Sequence, residues 1–139
     1  MNFNRKNNHK LKNKNNEKDL MILYSKETDK MISEVKIAND FFSRLMGLMF
    51  KGDADYPLLF NMKEKRKNRW ESSIHSCFMR FELKLVFIDD NNTVFEMADL
   101  KPWRYYVPKK AAKYIIEFSK EDFDEECIKL GDVIGLNTS

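Results

Sequence analysis

The chain has 139 residues, of which 42% are hydrophobic and 11 are phenylalanine, and this is enough for one domain with its own core. The formal net charge is +3, but residues 1–19 hold six Lys or Arg against two acids, and the remainder holds 19 against 20. The basic character therefore belongs to the N-terminal segment. These numbers argue against a domain that is itself strongly basic or strongly acidic.

Residues 1–19 read "MNFNRKNNHKLKNKNNEKD" and contain seven Asn. They show no helical or strand period and too little apolar surface to offset the entropy of ordering, so we predict a disordered basic tail followed by a single β-rich domain over residues 20–139. Such a tail can be an arm for nucleic acid or an anionic membrane, because clustered cations release counterions from phosphates. A solvated extension is the favoured interpretation, since charge runs usually face water.

The apolar run that follows the tail, Leu20 to Tyr24, is too short for a secretory signal core or for a membrane span. We therefore expect a cytoplasmic protein without membrane association. Two cysteines, Cys77 and Cys127, are then expected to be free thiols.

Short strand patterns begin at residue 20. "LMILYSK" and "MISEVKIA" flank the polar segment "ETDK" and predict a first hairpin. "NDFFSRLMGLMF" then has apolar residues at helical spacing after a capping Asn39 or Asp40, which predicts a short helix with Arg44 at the edge of its apolar face. Arg44 can reach over the core rim to a carboxylate or a ligand, or can simply cover apolar surface.

After the strand candidate "YPLLFNM", the segment "KEKRKNRWESS" carries five basic residues and Trp70. It can stack a base or hold a phosphate, although the solvated tip of a hairpin is the favoured interpretation. The stretch "SSIHSCFMRFELKLVFIDD" alternates in a way that predicts one central core strand. Its core face runs from His75 and Cys77 to Phe87, and its other face carries Arg80, Glu82 and Lys84.

Asp and Asn residues in "DDNN" tolerate the left-handed backbone of a tight turn, so "TVFEMADL" is expected to return as an antiparallel strand. "KPWRYYVPKK" is a connection, "AAKYIIEF" is a strand, "SKEDFDEEC" is a short Ser-capped helix, and "GDVIGL" is the last strand. The predicted fold is mainly β: a compact β-sandwich or small barrel of about eight short strands with one or two short helices.

The order of "VKIANDFFSRLMGLMF", "LLF", "IHSCFMRFELKLVFID", "LKPWRYYVPKKAAKYIIEF" and "IKLGDVIGL" resembles the domain of unknown function 192 family, also called uncharacterised protein family 0127. The resemblance covers roughly residues 30 to 136 and rests on two blocks, Arg44 with 47–49 and His75 with 78–80. It implies a compact β-rich fold with a short helix and an unassigned activity. The chain departs from the family pattern at Lys84, where the family commonly has an aspartate.

Three functions fit the sequence. The first is a binding module for a small anionic or sugar-like ligand or a protein partner, because Arg offers a planar fork to carboxylate or phosphate and an aromatic ring offers a stacking face. The site residues predicted for it are Arg44, His75, Phe78, Arg80 and Trp103.

The second is an enzyme using Cys77 with His75, which are two positions apart on one strand face. No third group is evident to orient the imidazole, and a thiol in an apolar row has a raised pKa, so no catalytic residue is assigned. The same pair lacks further metal ligands at a recognised spacing, and no metal or cofactor is predicted. The third function is nucleic-acid association through the tail and the 63–69 loop.

Overall fold

The computed structural model of the protein describes residues 20–38, 57–62, 68–76 and 79–138. The described residues form a seven-stranded sheet in the order β6-β5-β8-β3-β2-β1-β9 and a two-stranded sheet of β4 and β7. Two single turns of 3-10 helix, Arg69–Ser72 and Lys120–Asp122, interrupt the strands. The strands are β1 (Leu20–Ser25), β2 (Met31–Ile37), β3 (Leu58–Asn61), β4 (Ile74–His75), β5 (Leu83–Ile88), β6 (Val94–Leu100), β7 (Tyr105–Tyr106), β8 (Tyr114–Ser119) and β9 (Ile134–Thr138).

The predicted hairpins are confirmed. β1 and β2 are antiparallel and are joined by a turn in which Asp29 has φ 56°. β5 and β6 are antiparallel, and the turn between them is capped by Asp89 Oδ1, which accepts N–H bonds from Asn91 (2.9 Å) and Thr93 (3.1 Å). Asn92 has the left-handed φ of 58° that the "DDNN" sequence predicted.

The main sheet is mixed and strongly curved. β2 and β3 are parallel, and every other pair in it is antiparallel. The two edge strands approach each other at one end, where Val94 N–H donates to Asp132 O at 2.9 Å and Ile134 N–H donates to Asn92 O at 2.8 Å. This contact stops short of closing a barrel within the described residues. The mainly β class predicted from the sequence is confirmed.

Side chains alternate between the two faces of the main sheet, and each face has its own apolar cluster. The inner cluster takes residues from all seven strands and is closed by Ile128. The outer cluster covers only the half formed by β6, β5, β8 and β3, and it includes Ile74 and Met79 from the segment that precedes β5. The small β4–β7 sheet is thereby joined to the outer face of the main sheet.

The prediction of one continuous strand from His75 to Phe87 was wrong. β4 ends at His75 and pairs with β7, whereas β5 begins at Leu83 and lies between β6 and β8. The chain leaves the strand at Ser76, because the backbone and hydroxyl of Ser76 bond to residues 101–104 instead of to a neighbouring strand. β5 is also buried on both faces, since Val86 and Ile88 belong to the inner cluster.

The "SKEDFDEEC" segment differs from its prediction as well. It contains a single turn of 3-10 helix, and the Ser119 side chain makes no capping hydrogen bond to it. The helix predicted near Arg44 lies outside the described residues. No helix in the described part of the chain is long and apolar enough to cross a membrane.

The outer cluster is expected to provide much of the stability of the fold. Phe87 is fully buried, so Phe87→Ala is expected to lower the free energy of unfolding by about 3–5 kcal/mol. Leu130 is 64% exposed, so Leu130→Ala should change the same quantity by less than about 0.5 kcal/mol. Urea unfolding followed by circular dichroism measures both. Similar losses in the two variants would show that Phe87 is not part of a packed core.

Candidate functional site

Ser76 connects two loops through its side chain. It is completely buried, and its hydroxyl donates to Lys101 O at 2.5 Å while accepting the N–H of Arg104 at 2.9 Å. Its own backbone N–H donates to Arg104 O at 2.8 Å. Every one of these partners lies at least 25 residues further along the chain. Ser76 therefore holds the turn at 101–104 against the end of β4.

The carbonyl of Ser76 gathers further backbone groups. Its oxygen accepts the N–H of Trp103 at 3.0 Å and the N–H of Met79 at 3.1 Å. The sequence predicted five residues for a binding site, and three of them are connected to Ser76. Trp103 bonds to it directly, His75 precedes it, and Arg80 follows Met79, which bonds to it.

A second attachment involves the last residue of β7 and the chain just after it. The Tyr106 hydroxyl donates to Glu96 Oε2, and the other carboxylate oxygen accepts the N–H of Lys109 at 2.8 Å. The ring of Tyr106 packs on the outer cluster, with its centre 5.7 Å from that of Phe87. Residues 101–109, which we call the clamped segment, are therefore fixed to the domain near both ends.

The middle of the clamped segment faces solvent. Trp103 is 57% exposed, Tyr105 is 73% exposed, and Arg104 between them is also exposed. Trp103 has φ 61°, a left-handed conformation that is a genuine outlier for a bulky residue and costs about 1–3 kcal/mol. The surrounding hydrogen bonds hold the backbone of this exposed residue in a conformation that glycine or asparagine would adopt more easily.

The clamped segment is also basic. Residues 101–109 contain Lys101, Arg104 and Lys109 and no acid, and Lys110 follows directly. Lys110 is engaged already, because its ammonium lies 3.5 Å from Asp89 and 4.6 Å from the centre of the Phe95 ring. In the described part of the chain, the salt bridges do not include Lys101 or Arg104.

The structure places the predicted site residues as follows. His75 is half-buried at the end of β4, opposite Tyr105 in the register, Arg80 is exposed, and Trp103 is exposed in the clamped segment. Arg44 and Phe78 lie outside the described residues. Sequence reasoning missed Arg104 and Tyr105, although the alternation of basic and aromatic letters in "KPWRYYVPKK" could have indicated them.

Cys77, the cysteine of the predicted pair with His75, lies outside the described residues. Cys127 is exposed and donates from Sγ to Asp124 Oδ2 at 3.2 Å, and this hydrogen bond is the main reason that the pKa of the thiol is raised. A raised pKa disfavours the reactive thiolate. Cys127 lines a cleft of about 280 Å³ with Ser33, Phe123 and Asp124.

The described residues contain no cluster of metal-binding side chains. No group of three or more His, Cys, Asp or Glu side chains suited to a metal ion occurs within residues 20–38, 57–62, 68–76 and 79–138.

Lys84 takes part in a charge network. Its ammonium lies 3.2 Å from Asp99 and 3.9 Å from Glu125, and Lys120 lies 3.0 Å from the other oxygen of Asp99. Burial raises the pKa of Asp99, but hydrogen bonds from Lys120 and Lys84 outweigh it and leave the pKa below its ordinary value. Lys84 is thus neutralised within the domain.

Comparison with known proteins gives a consistent family. The model of the domain of unknown function 192 family, described as "Uncharacterized ACR", matches residues 21–136. A UPF0127 protein of Pyrococcus furiosus is 36% identical over 104 residues, which are 75% of this chain and 87% of that protein. A UPF0127 protein of Thermococcus sibiricus is 39% identical over 100 residues, covering 72% of this chain and 64% of that protein.

Solved structures share the fold at low sequence identity. A crystal structure from Sinorhizobium meliloti, provisionally described as that of a transcription regulator, has a TM-score of 0.65 and 16% identity over 84% of this chain and 92% of that one. A protein of unknown function from Novosphingobium aromaticivorans has a TM-score of 0.64 and 13% identity over 84% of this chain and 83% of that one. These likenesses show the fold alone.

Removing the Ser76 hydroxyl should loosen the clamped segment. Ser76→Ala removes the partner of Lys101 O and of the Arg104 N–H in two partly buried hydrogen bonds, which is expected to lower the free energy of unfolding by about 1–3 kcal/mol. Trp103 fluorescence, recorded in a Trp70→Phe background, should become more mobile in anisotropy decay. Ser73 is exposed, so Ser73→Ala is the control and should leave both measurements unchanged. An unaltered anisotropy decay in Ser76→Ala would contradict the role of the serine.

The Tyr106–Glu96 contact should appear in the alkaline pH dependence of stability. Burial, with the hydrogen bond to Glu96, raises the pKa of Tyr106 to about 12, above its ordinary value of 10.0. Between these two values the unfolded chain releases the phenolic proton first, so the stabilisation is complete below about pH 10 and is lost as the pH rises through about 12.

Urea unfolding at about pH 8 and about pH 11 should therefore show a larger loss in the native protein than in Tyr106→Phe, which cannot titrate. All other titratable groups are the same in the two proteins, so their contributions cancel in the comparison. Equal losses would mean that the Tyr106 hydroxyl is not held in the folded state.

Proposed function

The chain belongs to the domain of unknown function 192 family, and we propose that it is a binding module for a small anionic ligand with a flat or sugar-like face. The clamped segment is the proposed binding surface, with Trp103 and Tyr105 as stacking faces and Arg104 and Lys101 as partners for the negative charge. An aromatic ring offers a stacking face for a sugar or a planar group, and a guanidinium binds carboxylate or phosphate in a bidentate way.

The observation that carries the proposal is the backbone of Trp103. The Trp103 side chain is largely exposed, so its burial contributes little free energy to offset the cost of a backbone φ of 61°. The stability of the fold therefore gives no reason for a tryptophan at this position. Backbone outliers of this kind cluster at binding and catalytic sites, where the strain fixes a side chain in its working position. The bonds from Ser76 and Glu96 at the two ends of the segment supply the constraint that such strain requires.

His75 and Arg80 complete the proposed surface. His75 directly precedes Ser76, and Arg80 directly follows Met79, whose N–H donates to the Ser76 carbonyl that also accepts the N–H of Trp103. His75 can donate to a ligand oxygen and Arg80 can add a second positive charge. Arg44 and Phe78 stay part of the proposal through the sequence pattern alone.

Single-stranded nucleic acid is the second candidate, and one observation favours it. Arg69 lies 5.4 Å from the ring centre of Trp70, which is 64% exposed, so a second basic and aromatic pair is available on the surface. Basic grooves lined by aromatic rings bind single strands by stacking and by counterion release. The tail, residues 1–19, would add to this attraction.

We also infer that residues 1–19 are separate from the domain and that the protein works in the cytoplasm. The family match, which begins at residue 21, supports the first inference. The free thiol of Cys127 supports the second, because reducing compartments maintain free thiols.

Trp103 provides a direct test, because the proposal separates binding from stability. Asn tolerates a left-handed backbone, so Trp103→Asn is expected to keep or raise the free energy of unfolding while lowering ligand affinity by about tenfold or more. The probes are glucose 6-phosphate, glucuronate and uridine monophosphate, with glucose as the uncharged reference, in thermal shift and then in calorimetry.

Trp70→Ala is the matched control, since Trp70 is exposed to a similar extent and lies outside the clamped segment. It should leave the affinity for a small ligand unchanged. Binding of a single-stranded oligonucleotide that weakens steeply with salt and is reduced in both tryptophan variants would favour the nucleic-acid candidate. If Trp103→Asn binds every probe that the native protein binds, with the same affinity, the proposed surface is refuted.

A further inference from the structure

A second cleft lies where β1, β8 and β9 meet the turn between β5 and β6. Its volume is about 170 Å³. None of its lining residues belongs to the clamped segment, so it is a separate feature of the molecule. Its lining consists of Tyr24, Lys26, Ile88, Asn92, Lys113, Tyr114, Ile134, Gly135 and Leu136.

Lys113 is the central polar residue of this cleft. It is half-buried, its ammonium donates to Asn92 Oδ1 at 3.1 Å, and it lies 5.2 Å from the centre of the Tyr114 ring. Within the described residues, the salt bridges include neither Lys113 nor Lys26. A partly buried cation is costly unless a negative charge balances it. The cleft therefore holds two positive charges that the described carboxylates do not neutralise.

Asp89, an acid of the neighbouring β5–β6 turn, already has its own partners. Asp89 accepts two backbone N–H bonds at Oδ1, and its Oδ2 lies 3.5 Å from Lys110. These bonds also fix the turn in which Asn92 has φ 58°. The Asn92 oxygen that holds Lys113 is thus presented by a turn that is itself well constrained.

Gly135 shapes the wall of the cleft. A Cβ atom at this position would lie 2.2 Å from Cζ of Tyr24, so only glycine lets the tyrosine ring lie directly against β9. The ring lines the cleft, and its hydroxyl can donate to a ligand. The close approach of Tyr24 to β9 is therefore a specific feature of this sequence.

We propose that this cleft binds a small oxyanion, with Lys113 as the principal ligand-binding residue. An ammonium has three N–H donors, and Asn92 takes one of them, so two are available to oxygen atoms of the anion. Lys26 adds a second charge at the cleft, and none of the described residues that line it carries a carboxylate, which keeps the site positive. This site is independent of the proposed ligand surface at Trp103.

The test uses the full chain and inorganic phosphate as the probe, with isothermal titration calorimetry and phosphorus NMR as the readouts. The native protein should bind phosphate saturably, and Lys113→Gln should weaken binding by about tenfold or more, because a charge-assisted hydrogen bond is lost. Lys129 is exposed and does not line the cleft, so Lys129→Gln removes the same charge and should bind phosphate as the native protein does.

Further measurements separate the alternatives. Malonate in place of phosphate distinguishes a carboxylate site from a phosphate site, and binding of either supports the oxyanion assignment. Lys113→Gln tests this cleft and Trp103→Asn tests the ligand surface, so the two proposals fail independently. If Lys113→Gln does not fold, Lys26→Gln takes its place and is expected to weaken binding in the same direction.

The proposal is overturned if the native protein shows no saturable binding of phosphate or malonate. It is also overturned if Lys129→Gln weakens binding as much as the cleft variants do, because the anion would then be responding to overall charge. Chemical shifts in an amide spectrum should change around Lys113 and Asn92 on titration, and changes confined to other surfaces would equally exclude this site.

Discussion

The hydrogen bonds of Ser76 are the constraint on which the outer half of the molecule depends. β4 and β7 share only two residue pairs, and a two-stranded ribbon of that length has little stability of its own. The buried hydroxyl and backbone of Ser76 add bonds to Lys101, Trp103, Arg104 and Met79 that keep the ribbon in place. Because Ile74 and Met79 belong to the outer cluster, the same bonds help to cover the main sheet. Polar bonding and apolar burial are therefore coupled at this point.

The main sheet in turn provides a rigid base for the exposed residues. β5 is buried on both faces, and its Phe87 packs against the ring of Tyr106. Glu96, on the neighbouring strand β6, accepts hydrogen bonds from the Tyr106 hydroxyl and from the Lys109 N–H. A binding residue is most effective when little ordering is needed on contact with its ligand. Trp103, the proposed binding residue, has its backbone bonded to the buried Ser76 while its ring is exposed.

Local patterns predicted most of the described strands, because alternation of apolar residues and turn-forming Asp and Asn are visible in neighbouring letters. The break between β4 and β5 could not be predicted in this way. The alternation continues through it, and the chain turns because Ser76 has partners 25 and 28 residues away. The site shows the same division. Residue type predicts His75, Arg80 and Trp103 as candidate site residues, whereas the roles of Ser76 and Glu96 depend on contacts that residue type does not reveal.

Lys84 shows why a charge difference from the family pattern need not affect the proposed ligand surface. Lys84 shares its face of β5 with Val86 and Ile88, which belong to the inner cluster, whereas the clamped segment packs on the outer cluster through Tyr106. The Lys84 side chain is only 14% exposed, and such a cation requires negative partners, which Asp99 and Glu125 supply. The sheet therefore lies between this charge and Trp103. A change at Lys84 is expected to alter stability through Asp99 and to leave the outer surface as it is.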